Sequence, residues 1–434
     1  MATTGLRIGI ARASITPPVG IELAGYAGRA PSTGIRDDLY ATAAVFAYGR
    51  SRVAVVSLDL LHIGAPYAAA VARTVRERSG VPANHVLLCC THTHYGPDTR
   101  SDDGDPRTSD VAAYLANLRY TIAGTVNMAA ANATPAVAHV GRAQCLAGIN
   151  RRERRPDGTI ILGRNPAGPI DREMVALRVE SPDGEPLACI VNFACHGTSQ
   201  TNVGREISSD FVDSAREMVE VELGAPLVFL QGACGNINPS VRGSDAPVRA
   251  GRLVGAAALE AWETAEGVHA TPLRFASCEL ELPHRQYETV EQAEQAVGDL
   301  EDQLSHHQET GAQPSMIRYL AWRLEAARTA LGSASTGDPA PPIRSHLSAL
   351  RLGEVAILAT PGEIFTEIGR TIKDRSPLPH TLFLGYTNDS IGYVPVPEAY
   401  PEGGYEVDAA SRVGPDAAPL LIQHALDLLS ELAG

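Results

Sequence analysis

The sequence predicts an α/β fold: a mixed β-sheet core flanked by helices, with a helical hairpin inserted at 288–333. Three observations carry this. Short apolar runs rich in β-branched residues recur along the 434 residues with turn residues between them. Amphipathic stretches of helical period lie between those runs, and strands alternating with helices argue for an α/β architecture. Residues 288–333 are helical in pattern throughout.

Taken in order, "RVAVVSLDLL" (52–61) reads as a buried strand and "APYAAAVARTVRERSG" (65–80) as an amphipathic helix closed by a glycine at its C′ position. "HVLLCC", "MVALRV" and "LACIVNFAC" are further strands, and "SSDFVDSAREMVEVELG" (208–224) is a helix opening on Ser/Asp cap candidates. "APLVFLQGAC", "HLSALRLGEVAILATP" and "HTLFLGYTND" complete the strand set. In the hairpin, Ala293, Val297, Leu300 and Leu304 keep helical spacing after a Thr289/Gln292 capping-box pattern. A second helical stretch carries Ile317, Leu320, Leu324 and Leu331 after "ETGAQPS". "GSASTGDPAPP" (332–342) is then a short connection, and the chain reads as a single catalytic domain over 1–434.

Composition narrows the function. A formal net charge of −14 and a pI near 5.4 offer no basic surface for phosphates or anionic lipid, so nucleic acid is not an expected partner. The first twenty residues carry Arg7 and Arg12 where a signal peptide needs an apolar stretch, and no run approaches the ~20 apolar residues of a membrane span. The expectation is a cytoplasmic protein without stable membrane association. Its seven cysteines contain no Cys-x-x-Cys pair, which is free-thiol usage.

Several apolar runs end on residues that can bind a metal. In "LLCCTHTHYGPDT" (87–99), a strand continuing through His92 and His94 would place both imidazoles on one face at its C-terminal end. The competing reading is a pair of hydrogen-bonded core histidines. His196 ends "CIVNFACH" in the same way, and two or three convergent imidazoles need a carboxylate or similar to complete a zinc site. Asp59, Asp210 and Glu363 each lie just past an apolar run. Glu363, in "TPGEIF", is also placed to serve only as a helix-dipole partner in the first turn of a helix. The glycine turn of "QGACGNINPS" (231–240) reads as turn chemistry or as close backbone approach to a ligand. Tyr393 and Tyr405 in the 388–407 segment read as packing residues on their own. No Gly-x-Gly-x-x-Gly, P-loop, Gly-x-Ser-x-Gly or His-Glu-x-x-His occurs, which removes support for nucleotide enzymes and elbow-type serine hydrolases.

Together and in order, "GIARASITPPVGIELAGYAGR", "VSLDL", "THTHYGP", "NFACHGTSQTN" with "ISSD", "QGACGNINP", "TPGEIFTEIGR" and "GYTNDSIGYVP" with "GGYEV" resemble the neutral/alkaline non-lysosomal ceramidases, zinc-dependent amidases. The resemblance implies Zn²⁺ held by His92, His196, Glu363 and Tyr393. It implies His94 as an acid/base residue, and Arg151 and Tyr405 as groups that meet the substrate carbonyl. It departs at Gly235-Asn236-Ile237-Asn238-Pro239, where the family carries a serine in a Gly-Asp-x-Ser-Pro turn. Asn238 therefore enters the set of residues expected near the scissile bond. The chain also stops before the family's immunoglobulin-like C-terminal domain. The expected activity is hydrolysis of a C–N amide in a small N-acyl compound through a metal-activated water. The alternatives are ester or lactone hydrolysis, amide-forming acyl transfer, or a zinc-stabilised binding protein without turnover.

Overall fold

The strongest apolar runs become strands because both of their faces are buried: Val86–Cys90, Leu227–Gln231 and Val355–Ala359 have no exposed residue. The computed structural model describes residues 5–99 and 109–434. Among these, three mixed sheets form the body. The first runs Val86–Cys90, Ser51–Leu58, Tyr40–Tyr48, Arg7–Ser14, Thr134–Pro135. The second runs Leu227–Gln231, Pro186–Phe193, Glu173–Glu180, Val137–Gln144, Glu266–Gly267. The third runs Leu273–Leu282, Ile343–Leu352, Val355–Ala359, His380–Leu384.

Alternate residues of each sheet face a shared interior. Phe46, Val53, Val55 and Leu87 of the first sheet, Leu177, Ile190, Val228 and Leu230 of the second, and Leu350, Ile357, Leu382 and Leu384 of the third form one buried cluster. The opposite faces are covered by helices. Helices α1 (Ala65–Ser79) and α2 (Ser109–Ala131) cover the first sheet, and α3 (Phe211–Leu223) and α4 (Ala246–Glu263) the second. Beyond the hairpin helices α5 (Val290–Glu309) and α6 (Pro314–Thr336), α7 (Thr366–Arg375) and α9 (Ala417–Ala433) cover the third, with a four-residue α8 (Tyr405–Asp408) before α9.

One local unit recurs in all three sheets, although the sequence shows no repeat. Ser51–Leu58 is followed by α1 and pairs in parallel with Val86–Cys90. Pro186–Phe193 is followed by α3 and pairs in parallel with Leu227–Gln231. Val355–Ala359 is followed by α7 and pairs in parallel with His380–Leu384. Ligands of α/β folds collect outside the carboxyl ends of parallel strands. His92, His196 and Glu363 each follow such an end, one from each sheet.

The capping signals fold as expected, but α6 runs on to Thr336, so the connection expected from residue 332 begins only at Gly337. Gly80 closes α1 at φ 71°, and the Asp210 side chain caps α3 by accepting from Phe211 N–H. Thr289 caps α5 by accepting from Gln292 N–H at 3.2 Å. Among the described residues no helix is long and apolar enough to cross a membrane.

Candidate active site

The two histidines of "THTH" meet by a backbone kink, not by strand alternation. The strand ends at Cys90, and His92 adopts the left-handed conformation at φ 63°, which is unfavourable for a residue with a Cβ. Three contacts hold it there: its N–H donates to Leu60 O (3.0 Å), its Nδ1 to Leu61 O (2.9 Å), and its ring stacks on Tyr386 with centroids 4.0 Å apart. The expected extension of the strand through His94 is thus corrected, because Leu60 and Leu61, not a neighbouring strand, take up the hydrogen bonds of His92. The 196 loop comes equally close. Thr93 bridges to Gly197, His94 N–H donates to Gly197 O (3.0 Å), and a Cβ at 197 would lie 2.7 Å from His92 O, so only glycine lets the two histidine loops touch.

Glu363 is not in a helix. Glu363–Ile364 is a two-residue strand paired in parallel with Tyr393–Val394, and α7 begins only at Thr366. The helix-dipole reading is replaced by one in which backbone pairing sets Glu363 beside Tyr393. Asn236, from the glycine turn, serves that arrangement: its Oδ1 accepts from Thr366 N–H (2.9 Å) at the first turn of α7.

The donor set fits a divalent cation. His92, His94 and His196 each turn Nδ1 to a backbone carbonyl, of Leu61 (2.9 Å), Gly25 (3.1 Å) and Cys234 (2.7 Å) respectively. A carbonyl accepts only, so each Nδ1 carries the hydrogen and each Nε2 presents a lone pair. Those lone pairs converge. His92 Nε2 and His196 Nε2 both stand 3.2 Å from Glu363 Oε2, His94 Nε2 is 3.4 Å from His92 Nε2, and the Tyr393 hydroxyl is 3.3 Å from His196 Nε2. Glu363 Oε2 is buried without a hydrogen-bond donor despite these neighbours, as expected for acceptors facing acceptors. Burial, with the charge of Arg151, pulls His196 down to about 3, and burial with the neighbouring imidazoles holds His94 well below its ordinary value. Spacings of 3.2 to 3.4 Å between such atoms suit groups that share one cation. The three histidines are the group of potential ligands found among the described residues.

Arg151 binds this cluster to the rest of the site. It is buried, and its Nη2 donates to the Tyr393 hydroxyl (2.9 Å), its Nη1 to Asn238 Oδ1 (3.3 Å), and the same Nη1 lies 3.1 Å from His196 Nε2. Its Nε donates to Glu406 Oε1 at 2.7 Å. The Tyr393 hydroxyl takes one of the two Nη2 hydrogens. Asn238 also accepts from the Thr198 hydroxyl (3.3 Å), and Tyr405 packs edge-on against Tyr393 with centroids 5.8 Å apart. Exposure locates the open side: Tyr405 is 38% exposed and Glu363 19%, whereas His92, His196, Arg151 and Tyr393 are each at 4% or less.

Sequence reasoning missed Glu406. It is 1% exposed and its two oxygens are shared by Arg151 Nε and Arg152 Nη1 (3.0 Å). Its neighbour Tyr405 carried the signal, since a carboxylate directly after a site tyrosine in "GGYEV" can be read as an arginine partner. Glu406→Gln should leave the buried Arg151 guanidinium without its carboxylate, Arg152 keeping only Glu402 (3.2 Å), and destabilise the fold by about 3–5 kcal/mol. Urea denaturation measures this, and an unchanged midpoint would show that the arginines are balanced elsewhere.

The other carboxylate candidates are engaged away from the cluster. Asp59 accepts from Arg216 Nη2 (2.8 Å) and from Tyr40 N–H (2.9 Å). Asp210 accepts from Ser199 N–H and hydroxyl and from Phe211 N–H.

The structure superposes on neutral ceramidase from Pseudomonas aeruginosa with a TM-score of 0.75 at 24% identity, covering 99% of this chain and 75% of that one. It superposes on a ceramidase complexed with C2 with a TM-score of 0.75 at 21% identity, covering 99% and 76%. These likenesses establish a shared fold. The family model for neutral/alkaline non-lysosomal ceramidase, N-terminal, matches residues 6–248, more than half of the sequence, so the chain belongs to the neutral/alkaline non-lysosomal ceramidase family of amide hydrolases.

Proposed function

We propose that this protein is a zinc-dependent hydrolase of a C–N amide bond in a small, polar N-acyl compound. The observation that carries the reading is the convergence of His92 and His196 Nε2 on the Glu363 carboxylate, with His94 Nε2 3.4 Å from His92 Nε2 and each imidazole tied through Nδ1 to a backbone carbonyl. His92, His196, Glu363 and Tyr393 would hold the metal. When bound, zinc supplies Lewis-acid polarisation of the carbonyl and lowers the pKa of water toward ~7.

The chain's own residues do the rest. His94 is more exposed than His92 and His196 and carries its free lone pair on Nε2, so it takes a proton from the attacking water and returns it to the leaving nitrogen. Its Nδ1–H on Gly25 O fixes the tautomer this requires. Arg151, clamped by Glu406, keeps a guanidinium next to the position where the carbonyl oxygen becomes an oxyanion, and Tyr405 offers a phenolic O–H from the open side. Asn238 presents its amide where the family has a serine, and with Oδ1 already accepting from Arg151 and Thr198 its NH₂ remains for a substrate acceptor. That donor favours a polar substrate group and discriminates against one that leaves it unpaired.

The test is turnover by the zinc-loaded chain against a panel of N-acyl amides, esters, lactones and long-chain ceramide. Short polar amides should give the highest kcat/KM and ceramide a much lower one. Ceramide as the best substrate would overturn the Asn238 argument, and turnover confined to esters or lactones would overturn the amide assignment.

A further inference from the structure

The α5–α6 hairpin is joined to the body by something other than a shared core. Its apolar cluster, Val297, Leu300, Leu320, Leu324 and Ala327, is separate from the cores of the three sheets. What reaches the body is another face of α6, Ser315, Arg318, Tyr319 and Trp322, spaced as one helical stripe. That stripe meets both walls of the site. On one side the Tyr319 hydroxyl donates to Ala409 O (3.2 Å), and Trp322 lies under the Arg412 guanidinium (5.2 Å) and against the glycine preceding Tyr393.

On the other side lies the backing of His94. Residues 22–24 pair with 96–98: Ala24 N–H donates to Gly96 O (3.0 Å), Asp98 N–H donates to Glu22 O (2.9 Å), and Leu23 bridges to Pro97. The next residue, Gly25, gives the carbonyl that holds His94 Nδ1. At φ 94°, with space for a Cβ only 2.4 Å from that Nδ1, it leaves the ring no room to shift toward it. Pairing also sets two carboxylates side by side, Glu22 and Asp98. Arg318 Nη2 contacts both, at 2.5 and 2.8 Å, while Glu22 Oε1 accepts from Ser315 N–H (2.8 Å) and the Ser315 hydroxyl accepts from Gly28 N–H (3.1 Å). Arg318 Nε and Nη1 are buried without partners. A guanidinium so incompletely satisfied is a poor source of stability compared with an apolar side chain, which points to a role in holding geometry.

We propose that Arg318 is a positioning residue for His94: by bridging Glu22 and Asp98 it locks the 22–25 segment against 96–98, and the locked segment holds the imidazole through Gly25 O. This rests on His94 acting in turnover as proposed above. Loss of the clasp leaves the 22–25 segment held only by its backbone pairing and by Arg29 Nη2, which donates to Ala24 O (2.6 Å) and His94 O (2.5 Å), and lets the Gly25 carbonyl shift. A misplacement of ~1 Å at a reacting group costs ~10²-fold in rate.

The experiment uses the full chain as Arg318→Met, Arg318→Lys and Glu22→Gln, with zinc content, hydrogen exchange of 22–28 and 94–98, and kcat and KM on the best amide of the panel. Arg318→Met should speed exchange in both segments by about tenfold or more. It should lower kcat by about tenfold or more with KM nearly unchanged and zinc retained, and Arg318→Lys should recover most of both. Glu22→Gln, which keeps the shape of the segment and removes one carboxylate, should show the same exchange signature if Arg318→Met does not fold. Unchanged exchange and kcat would overturn the proposal, as would a kcat loss that Arg318→Lys shares in full. Absence of turnover by the parent chain on every substrate would instead count against the hydrolase reading, and the exchange data would still decide whether Arg318 holds the segment that carries His94.

Discussion

His92→Ala and His196→Ala should each leave the purified protein with little of the roughly one zinc per chain expected of the parent. Both residues are buried, and both place an Nε2 lone pair 3.2 Å from Glu363 Oε2 with Nδ1 already committed to a backbone carbonyl. Arg151, whose Nη1 lies 3.1 Å from His196 Nε2, carries only donors and cannot take over as a ligand. Loss of the metal removes several kcal/mol of charge stabilisation in the transition state. At a factor of ten per about 1.4 kcal/mol, activity should fall by ~10³-fold or more. Metal analysis and turnover on the same sample check this. Full zinc retention in both variants would sink the ligand assignment.

His94→Ala should give the second largest effect with the opposite signature in the metal. The geometry brings all three imidazoles together, and His94 Nε2 at 3.4 Å from His92 Nε2 is near enough to share an ion. Two differences set His94 apart. It is the more exposed, and its Nδ1 is held by Gly25, in a segment that α6 also clasps, whereas the Nδ1 partners of His92 and His196 lie in loops at strand ends. A lost general acid/base lowers kcat by ~10²- to 10⁴-fold while zinc stays at the parent level. If zinc leaves with the His94 side chain, the residue is a ligand and the proton must be carried by another group, for which the partly exposed Tyr405 is placed.

How legible the site was depended on the range of the signal. The strand runs, the caps at Asp210 and Thr289, the glycine after α1 and the hairpin helices were readable because they rest on residues within one or two turns of each other. His92, His196 and Glu363 were readable as candidates because each ends an apolar run. Glu406 was not, since a glutamate in a short helix acquires its meaning only from Arg151 and Arg152, some 250 residues away in sequence. Arg318 was hidden for the same reason: within α6 it is one more surface-type arginine, and its partners Glu22 and Asp98 lie in the first hundred residues.

By itself, then, the sequence determined the class of the fold, the family, and the residue types available for metal chemistry, because hydrophobic period and local motif order are properties of neighbouring residues. Tertiary structure alone decided which candidates meet. It separated Glu363 from Asp59 and Asp210, since a two-residue strand pairing sets Glu363 beside Tyr393 while Asp59 is taken by Arg216 and Asp210 by the loop it caps. It also replaced the expected strand alternation of His92 and His94 by a left-handed kink at His92. Both outcomes depend on backbone hydrogen bonds between segments far apart in the chain, formed where the carboxyl ends of the three sheets come together.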